Sequence, residues 1–203
     1  MNYVTLGKTG LKAAVVSFGG IPIQRSDAAN TRAVVDKLEQ YGMNYIDTAR
    51  GYTVSEEYLG AALEGRREKF ILATKSMARD KESMAKDIDI SLKHLRTDHI
   101  DVYQIHNLPE KEIDKVFGEG GAWQALEEAK AAGKIGHLGV TAHNIDALKK
   151  MLELHGDQIE TIMFPYNIVE TQGHEVLKQA REMGIGTIAM KPMAGGNLDD
   201  WKL

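Results

Sequence analysis

Four side chains able to move protons sit at or just beyond the ends of short apolar runs in this 203-residue sequence. Asp47 ends Tyr45-Ile46-Asp47, Lys75 follows Phe70 to Thr74, and His106 follows Ile100 to Ile105. Tyr52 comes soon after Asp47, ahead of the next amphipathic stretch. A free tyrosine ionises near pH ~10, too high for ready proton exchange at neutral pH. An ammonium such as Lys75 favours the phenolate and lowers that value. A carboxylate such as Asp47 holds the lysine charged and in place. An imidazole such as His106 orients a substrate oxygen or shares the proton. The set suits proton transfer to a carbonyl oxygen. None of the four supplies a hydride, which would have to come from a nicotinamide cofactor.

Taken singly, each has a plainer reading. Asp47 reads as a loop carboxylate, Lys75 as a solvated lysine, Tyr52 as a half-buried packing residue, and His106 as structural. Their joint placement favours a site, because strand ends that face one mouth bring such groups together.

The elements that must position them follow an alternation of short Val- and Ile-rich runs with longer amphipathic stretches, the pattern of repeated βα units on a parallel sheet. Tyr3 to Leu6, the turn Gly7 to Gly10, and Leu11 to Ala14 read as an initial hairpin. Strands are expected at Val15–Phe18, Tyr45–Asp47, Phe70–Thr74, Ile100–Ile105, Ile135–Val140, Ile159–Phe164 and Thr187–Met190. Helices are expected at Asp27–Gln40, Ser55–Leu63, Lys81–His94, Gly121–Ala132, Ile145–Leu154 and His174–Met183. Ser26 or Asp27 caps the first helix, and Gly133 and Gly184 end later ones. The expected fold class is α/β: a (β/α)8 TIM-type barrel lacking its last βα unit, with an N-terminal β-hairpin, as a single domain over residues 1–203. An open doubly wound sheet competes, weakened by the lack of G-x-G-x-x-G after the first strand.

Composition sets outer bounds. The chain is 43% apolar and 27% charged with net charge −4, and it has no dense Lys/Arg run, which argues against a nucleic-acid partner. No apolar run approaches the ~18 residues that span a bilayer, so no membrane partner is expected. The N-terminus lacks the pattern of a secretory signal, and without cysteine there are no disulfides, so a cytoplasmic location is the default. The histidines have no i, i+4 pair, and no metal site is expected. Trp123 and the nine methionines read as packing residues, and Gly118 to Gly121 as a loop.

Several motifs together resemble the aldo-keto reductase family. Ile46-Asp47-Thr48-Ala49-Arg50-Gly51-Tyr52 is similar to its Asp-Thr-Ala signature before a tyrosine, and Ala73-Thr74-Lys75 to its lysine strand. Tyr103-Gln104-Ile105-His106 resembles the histidine strand. Leu6 to Leu11, Ser17 to Gly20, Gly133 to Thr141 and Phe164-Pro165-Tyr166-Asn167 extend the likeness over nearly the whole chain. The resemblance implies NADPH/NADP+ as cofactor, Tyr52 as the general acid in reduction, Lys75 lowering its pKa, Asp47 pairing with Lys75, and His106 positioning the carbonyl. Nicotinamide contacts would come from Asp47, Thr141, Met163, Met190 and Lys191. A small carbonyl or alcohol is the implied substrate.

Departures from the family pattern are specific. Thr141-Ala142 stands where Ser-Asn is common, Met163 where Gln is common, and Met190 where an aromatic is common. A methionine packs against a ring but cannot replace an amide's hydrogen bonds. The segment Met190 to Gly196 resembles a branch that often carries a ferredoxin-like segment. Because the sequence ends after seven units, the resemblance implies a barrel incomplete at its C-terminus, with weakened cofactor affinity and open sheet edges that favour self-association. A catalytically silent binding module or gene fragment is the alternative function, and a potassium-channel β-subunit-like module shares the fold.

Overall fold

The computed structural model describes residues 1–198. An antiparallel ribbon comes first, β1 (Tyr3–Thr5) against β2 (Lys12–Ala14), with Tyr3 opposite Ala14 and Thr5 opposite Lys12. The repeating units follow: β3 (Phe18–Gly19), α1 (Ala28–Tyr41), β4 (Tyr45–Asp47), α2 (Ser55–Ala62), β5 (Ile71–Ser76) and α3 (Lys81–His94). Next come β6 (Ile100–Ile105), α4 (Ile113–Phe117), α5 (Ala122–Ala131), β7 (Ile135–Thr141), α6 (Ile145–His155), β8 (Thr161–Pro165), α7 (His174–Glu182) and β9 (Gly186–Met190).

The seven strands from β3 to β9 form one sheet in chain order, every neighbouring pair parallel. A doubly wound sheet reverses its order at a switch point. No reversal occurs here, so the sheet curls in one sense into a half-barrel. Burial separates accordingly. Tyr45, Ile71, Ala73 and Val102 pack inside with Leu6 and Ala13 from the ribbon, while a larger cluster fills the space between the strands and the helices. The ribbon closes the N-terminal end of the curl. Gly7 makes the closure possible: its φ is +52°, and a Cβ there would come within 2.3 Å of the Gly186 nitrogen.

Local chemistry accounts for the helix limits. Asp27 caps α1 by accepting from the Asn30 N–H at 2.7 Å, which settles the choice between Ser26 and Asp27. Asp80 and Asn144 cap α3 and α6 in the same way. Gly133 and Gly184 adopt positive φ after α5 and α7.

Three expectations need correcting. The first sheet strand is Phe18–Gly19 rather than Val15–Phe18, and Val15 and Val16 are exposed. The Val15 N–H bonds to the Asn2 carbonyl, so this segment still belongs to the ribbon. Strand β5 runs on to Ser76, so Lys75 lies inside it. The segment after β6 holds a 3-10 turn at Glu110–Glu112 and α4, neither of which was expected. Among the described residues no helix is long and apolar enough to cross a membrane.

Candidate active site

Register carries the chemistry to one place. Asp47 lies opposite Ala73 on the β4–β5 ladder, and Lys75 lies opposite Gln104 on the β5–β6 ladder. Side chains alternate along a strand, so Asp47, Lys75 and Gln104 share the inner face at the C-terminal end of the curl. His106 follows two residues past Gln104, and its N–H is bonded to the Ser76 carbonyl at 2.8 Å.

Lys75 is 2% exposed. A charge that deeply placed needs partners. Its ammonium donates to Asp47 Oδ2 at 2.5 Å and to the Thr48 carbonyl at 2.8 Å. Gln104 donates to the other carboxylate oxygen, Asp47 Oδ1, at 3.3 Å. Lys75 Nζ stands 5.0 Å from the centre of the Tyr52 ring. His106 meets the same ring edge-on, with centroids 5.8 Å apart. The structure therefore brings Asp47, Tyr52, Lys75 and His106 together.

Electrostatics follow from burial. Desolvation pushes the Asp47 carboxyl above its ordinary value, with the Lys75 charge and the hydrogen bonds from Lys75 and Gln104 pulling it back. Desolvation likewise raises the Tyr52 phenol; Lys75 opposes this and Asp47 adds to it. The ammonium acts in the expected direction, but burial outweighs it. His106 is held down to about 4, first by burial and then by Lys75, Arg79 and His143. It is neutral at neutral pH. Its Nδ1 is buried without a partner, so a proton there would lack an acceptor, which favours the tautomer protonated on Nε2.

The loop bearing Tyr52 is tied from several sides. The Thr48 N–H bonds to the Ala73 carbonyl at 2.8 Å, and the Arg50 N–H to the Lys75 carbonyl at 2.9 Å. The Thr48 hydroxyl meets that of Ser55 at 2.8 Å. Glu56, 1% exposed at the start of α2, accepts from Arg50, from Thr74 Oγ1 at 2.7 Å and from Ser91 Oγ at 2.8 Å. Strand β5 is therefore used on both faces: Lys75 reaches inward to Asp47, and Thr74 outward to Glu56.

Sequence reading missed Gln104, Glu56, Arg50 and Arg79. The period of two through Val102, Gln104 and His106 carried the signal for Gln104. Glu56 carried none, since an acidic residue in a first helical turn is ordinarily solvated.

The remaining expected contacts lie on the later strands. Thr141 ends β7, is 1% exposed, and accepts from the Asn107 N–H through Oγ1 at 2.7 Å. Met163 sits beside it across the β7–β8 ladder and is buried. Met190 ends β9 at the opposite edge of the sheet, and the Lys191 carbonyl accepts from Asn167 Nδ2 at 3.0 Å. The structure brings Thr141 and Met163 together and places Met190 at the end of the edge strand β9, with Lys191 just after it. Among the described residues no group of three or more His, Asp or Glu is placed to hold a metal.

The model of the Aldo/keto reductase family matches residues 15–203. The chain belongs to the aldo/keto reductase family. It is 30% identical to L-galactose dehydrogenase of Arabidopsis thaliana, over 96% of this chain and 66% of that protein. It is also 30% identical to the aldo-keto reductase YhdN of Bacillus subtilis, over 98% of this chain and 64% of that protein. The chain thus spans about two thirds of the length of these reductases. Its fold superposes on the holo form of the aldo-keto reductase AKR11C1 from Bacillus halodurans with a TM-score of 0.85 at 28% identity, covering 97% of this chain and 68% of that one. Oxidoreductases on both sides of the comparison favour an enzyme over a silent binding module.

Proposed function

We propose that this chain, as one barrel domain over residues 1–203, catalyses the reversible NADPH-dependent reduction of an aldehyde or ketone, with Tyr52 as proton donor. The observation that carries the reading is the buried Lys75 ammonium, locked between Asp47 and the Thr48 carbonyl and facing the Tyr52 ring, with a neutral His106 against the same ring.

The residues present fit a nicotinamide group by their chemistry. Thr141 offers a hydroxyl, and Met163 and Met190 offer polarizable thioethers suited to a planar ring. Lys191 adds a cation just after β9. When bound, the cofactor supplies the hydride that the side chains lack.

The side chains divide the rest of the work. His106 donates from Nε2 to the substrate oxygen and fixes its direction. Tyr52, held protonated by burial, gives its proton to that oxygen as negative charge develops. Lys75 stabilises the phenolate left behind, and Asp47 keeps Lys75 charged and aimed. In oxidation the phenolate takes the proton back. Self-association through the outer strands β3 and β9 belongs to the same proposal, since each presents an edge with no strand beyond it among the described residues.

The test is a fluorescence titration of the purified chain with NADPH, NADH alongside, followed by a screen of aldehydes and ketones. Saturable NADPH binding with turnover supports the reading. Tyr52→Phe is then expected to lower kcat by about 10²–10⁴-fold with cofactor affinity unchanged, because only the proton donor is lost. Wild-type turnover in that variant would refute the role.

A further inference from the structure

The loop that carries His106 is held in place by a side chain from the neighbouring loop. Arg79 follows β5 by three residues and reaches across to the end of β6. Its Nη2 donates to the His106 carbonyl at 2.8 Å and to the Asn107 carbonyl at 3.1 Å. Its Nε donates to Glu112 Oε2 at 2.7 Å, and the side chain is only 11% exposed. On the other side, the Asn107 N–H is bonded to Thr141 Oγ1 at 2.7 Å. Asn107 has a φ of +48°, in the left-handed region that asparagine tolerates better than most residues, so the bonds on either side of it fix a turn its type allows. One nitrogen, Nη2, thus gathers two consecutive carbonyls while Nε of the same planar group holds Glu112, a fixed spread of donors that a single ammonium centre lacks.

We propose that Arg79, anchored by Glu112, is a positioning residue that fixes the backbone of His106 and Asn107 and so sets the direction of the imidazole beside Tyr52. Arg79 acts through the main chain. Its hydrogen bonds go to the His106 and Asn107 carbonyls, the Ala78 carbonyl and Glu112. Neither partner was singled out by its sequence motif, since Arg79 and Glu112 lie in different connections. Besides Arg79, the groups facing the imidazole are Lys75 from β5, His143 from the loop after β7, and Tyr52 from the loop after β4. The consequence for turnover rests on the carbonyl-reduction reading; the consequence for the ring does not.

The experiment is a nitrogen–proton NMR titration of the histidine side chains in the full chain, with His106 assigned by loss of its signals in His106→Asn. In the wild type, His106 is expected to show one neutral tautomer down to low pH. In Arg79→Met, its signals are expected to average between tautomers and its midpoint to rise above about 4, with burial and Lys75 still holding it below the ordinary value and the other histidines unmoved. Arg79→Lys keeps the charge and loses the fork, so the midpoint is expected to stay low while the tautomers still average. Turnover in Arg79→Met and Arg79→Lys is expected to fall roughly 10²-fold, the order of loss for a small misplacement, with NADPH affinity unchanged. If Arg79→Met does not fold, Glu112→Gln is read in the same way, with a smaller change expected. A folded Arg79→Met protein whose His106 signals match the wild type would overturn the proposal. If the ring responds as described while no carbonyl is turned over by the wild type, positioning stands and the functional reading fails.

Discussion

The Asp47–Lys75 pair is a buried ion pair whose members depend on each other unequally. Lys75 is almost wholly enclosed, and burial already raises the Asp47 carboxyl toward neutrality. Removing the ammonium leaves Asp47 with only the 3.3 Å hydrogen bond from Gln104. Lys75→Met is therefore expected to cost about 3–5 kcal/mol of stability, the usual penalty for stranding a buried charge, and Asp47→Asn on that background should return part of it. Urea unfolding of the wild type, both single variants and the double variant checks this cycle. A double variant no more stable than Lys75→Met alone would contradict it. The four residues themselves were legible from type and position, because the C-terminal ends of parallel strands converge whatever the helices do. The net direction of the Tyr52 shift was not. Coulomb attraction to Lys75 can be read from proximity in sequence pattern, but desolvation depends on how the whole mouth encloses the ring.

Elements were legible where their chemistry is local and obscure where it is not. The cap at Asp27 and the positive-φ glycines after α5 and α7 need only a few consecutive residues, and they appear as expected. Val15–Phe18 has strand composition, but only Phe18 enters the sheet and only the Val15 N–H bonds to the ribbon, because pairing with distant residues decides membership of a sheet. Glu160 shows how much a single residue before a strand can contribute. Burial would raise its carboxyl, but donors from His137, Lys130 and the Leu138 N–H outweigh that and hold it at about 2. These contacts tie the start of β8 to α5 and β7. The folded pKa lies below the ordinary 4.5, so the unfolded chain binds the proton more readily. The stabilisation is complete above about pH 4.5 and is lost as pH falls toward about 2. Glu160→Gln is expected to be less stable at neutral pH and to lose less on acidification through that window. Parallel acid limbs for the two proteins in a pH series of urea midpoints would show that Glu160 makes no such contribution.

At the scale of the molecule, the curl separates stability from chemistry along its axis. The ribbon, the inner residues Tyr45 and Ile71, and the approach of Gly7 to Gly186 lie toward the N-terminal ends of the strands, with Ala73 and Val102 in the layer between them and the mouth. Asp47, Tyr52, Lys75 and His106 lie at the other end, as function does in folds of repeated βα units. Leu6 joins the two halves of the lower end. It is 6% exposed, packs in the inner cluster, and lies so close to Gly186 that a Cβ there would meet its Cγ at 2.6 Å. It therefore links the ribbon to both the early strands and β9. Leu6→Ala removes a buried side chain from a place too constrained to collapse fully, with a loss of about 2–5 kcal/mol. For a chain of this size that corresponds to a fall of roughly 4–20 °C in Tm. Well below the transition, NADPH affinity and kcat should be unchanged, because no hydrogen bond of the mouth passes through Leu6. A thermal melt and a cold kinetic assay on the same preparation test both halves of this statement. A variant that melted like the wild type but turned over more slowly would mean that the lower end of the curl sets the geometry of the upper one, and the separation argued here would be wrong.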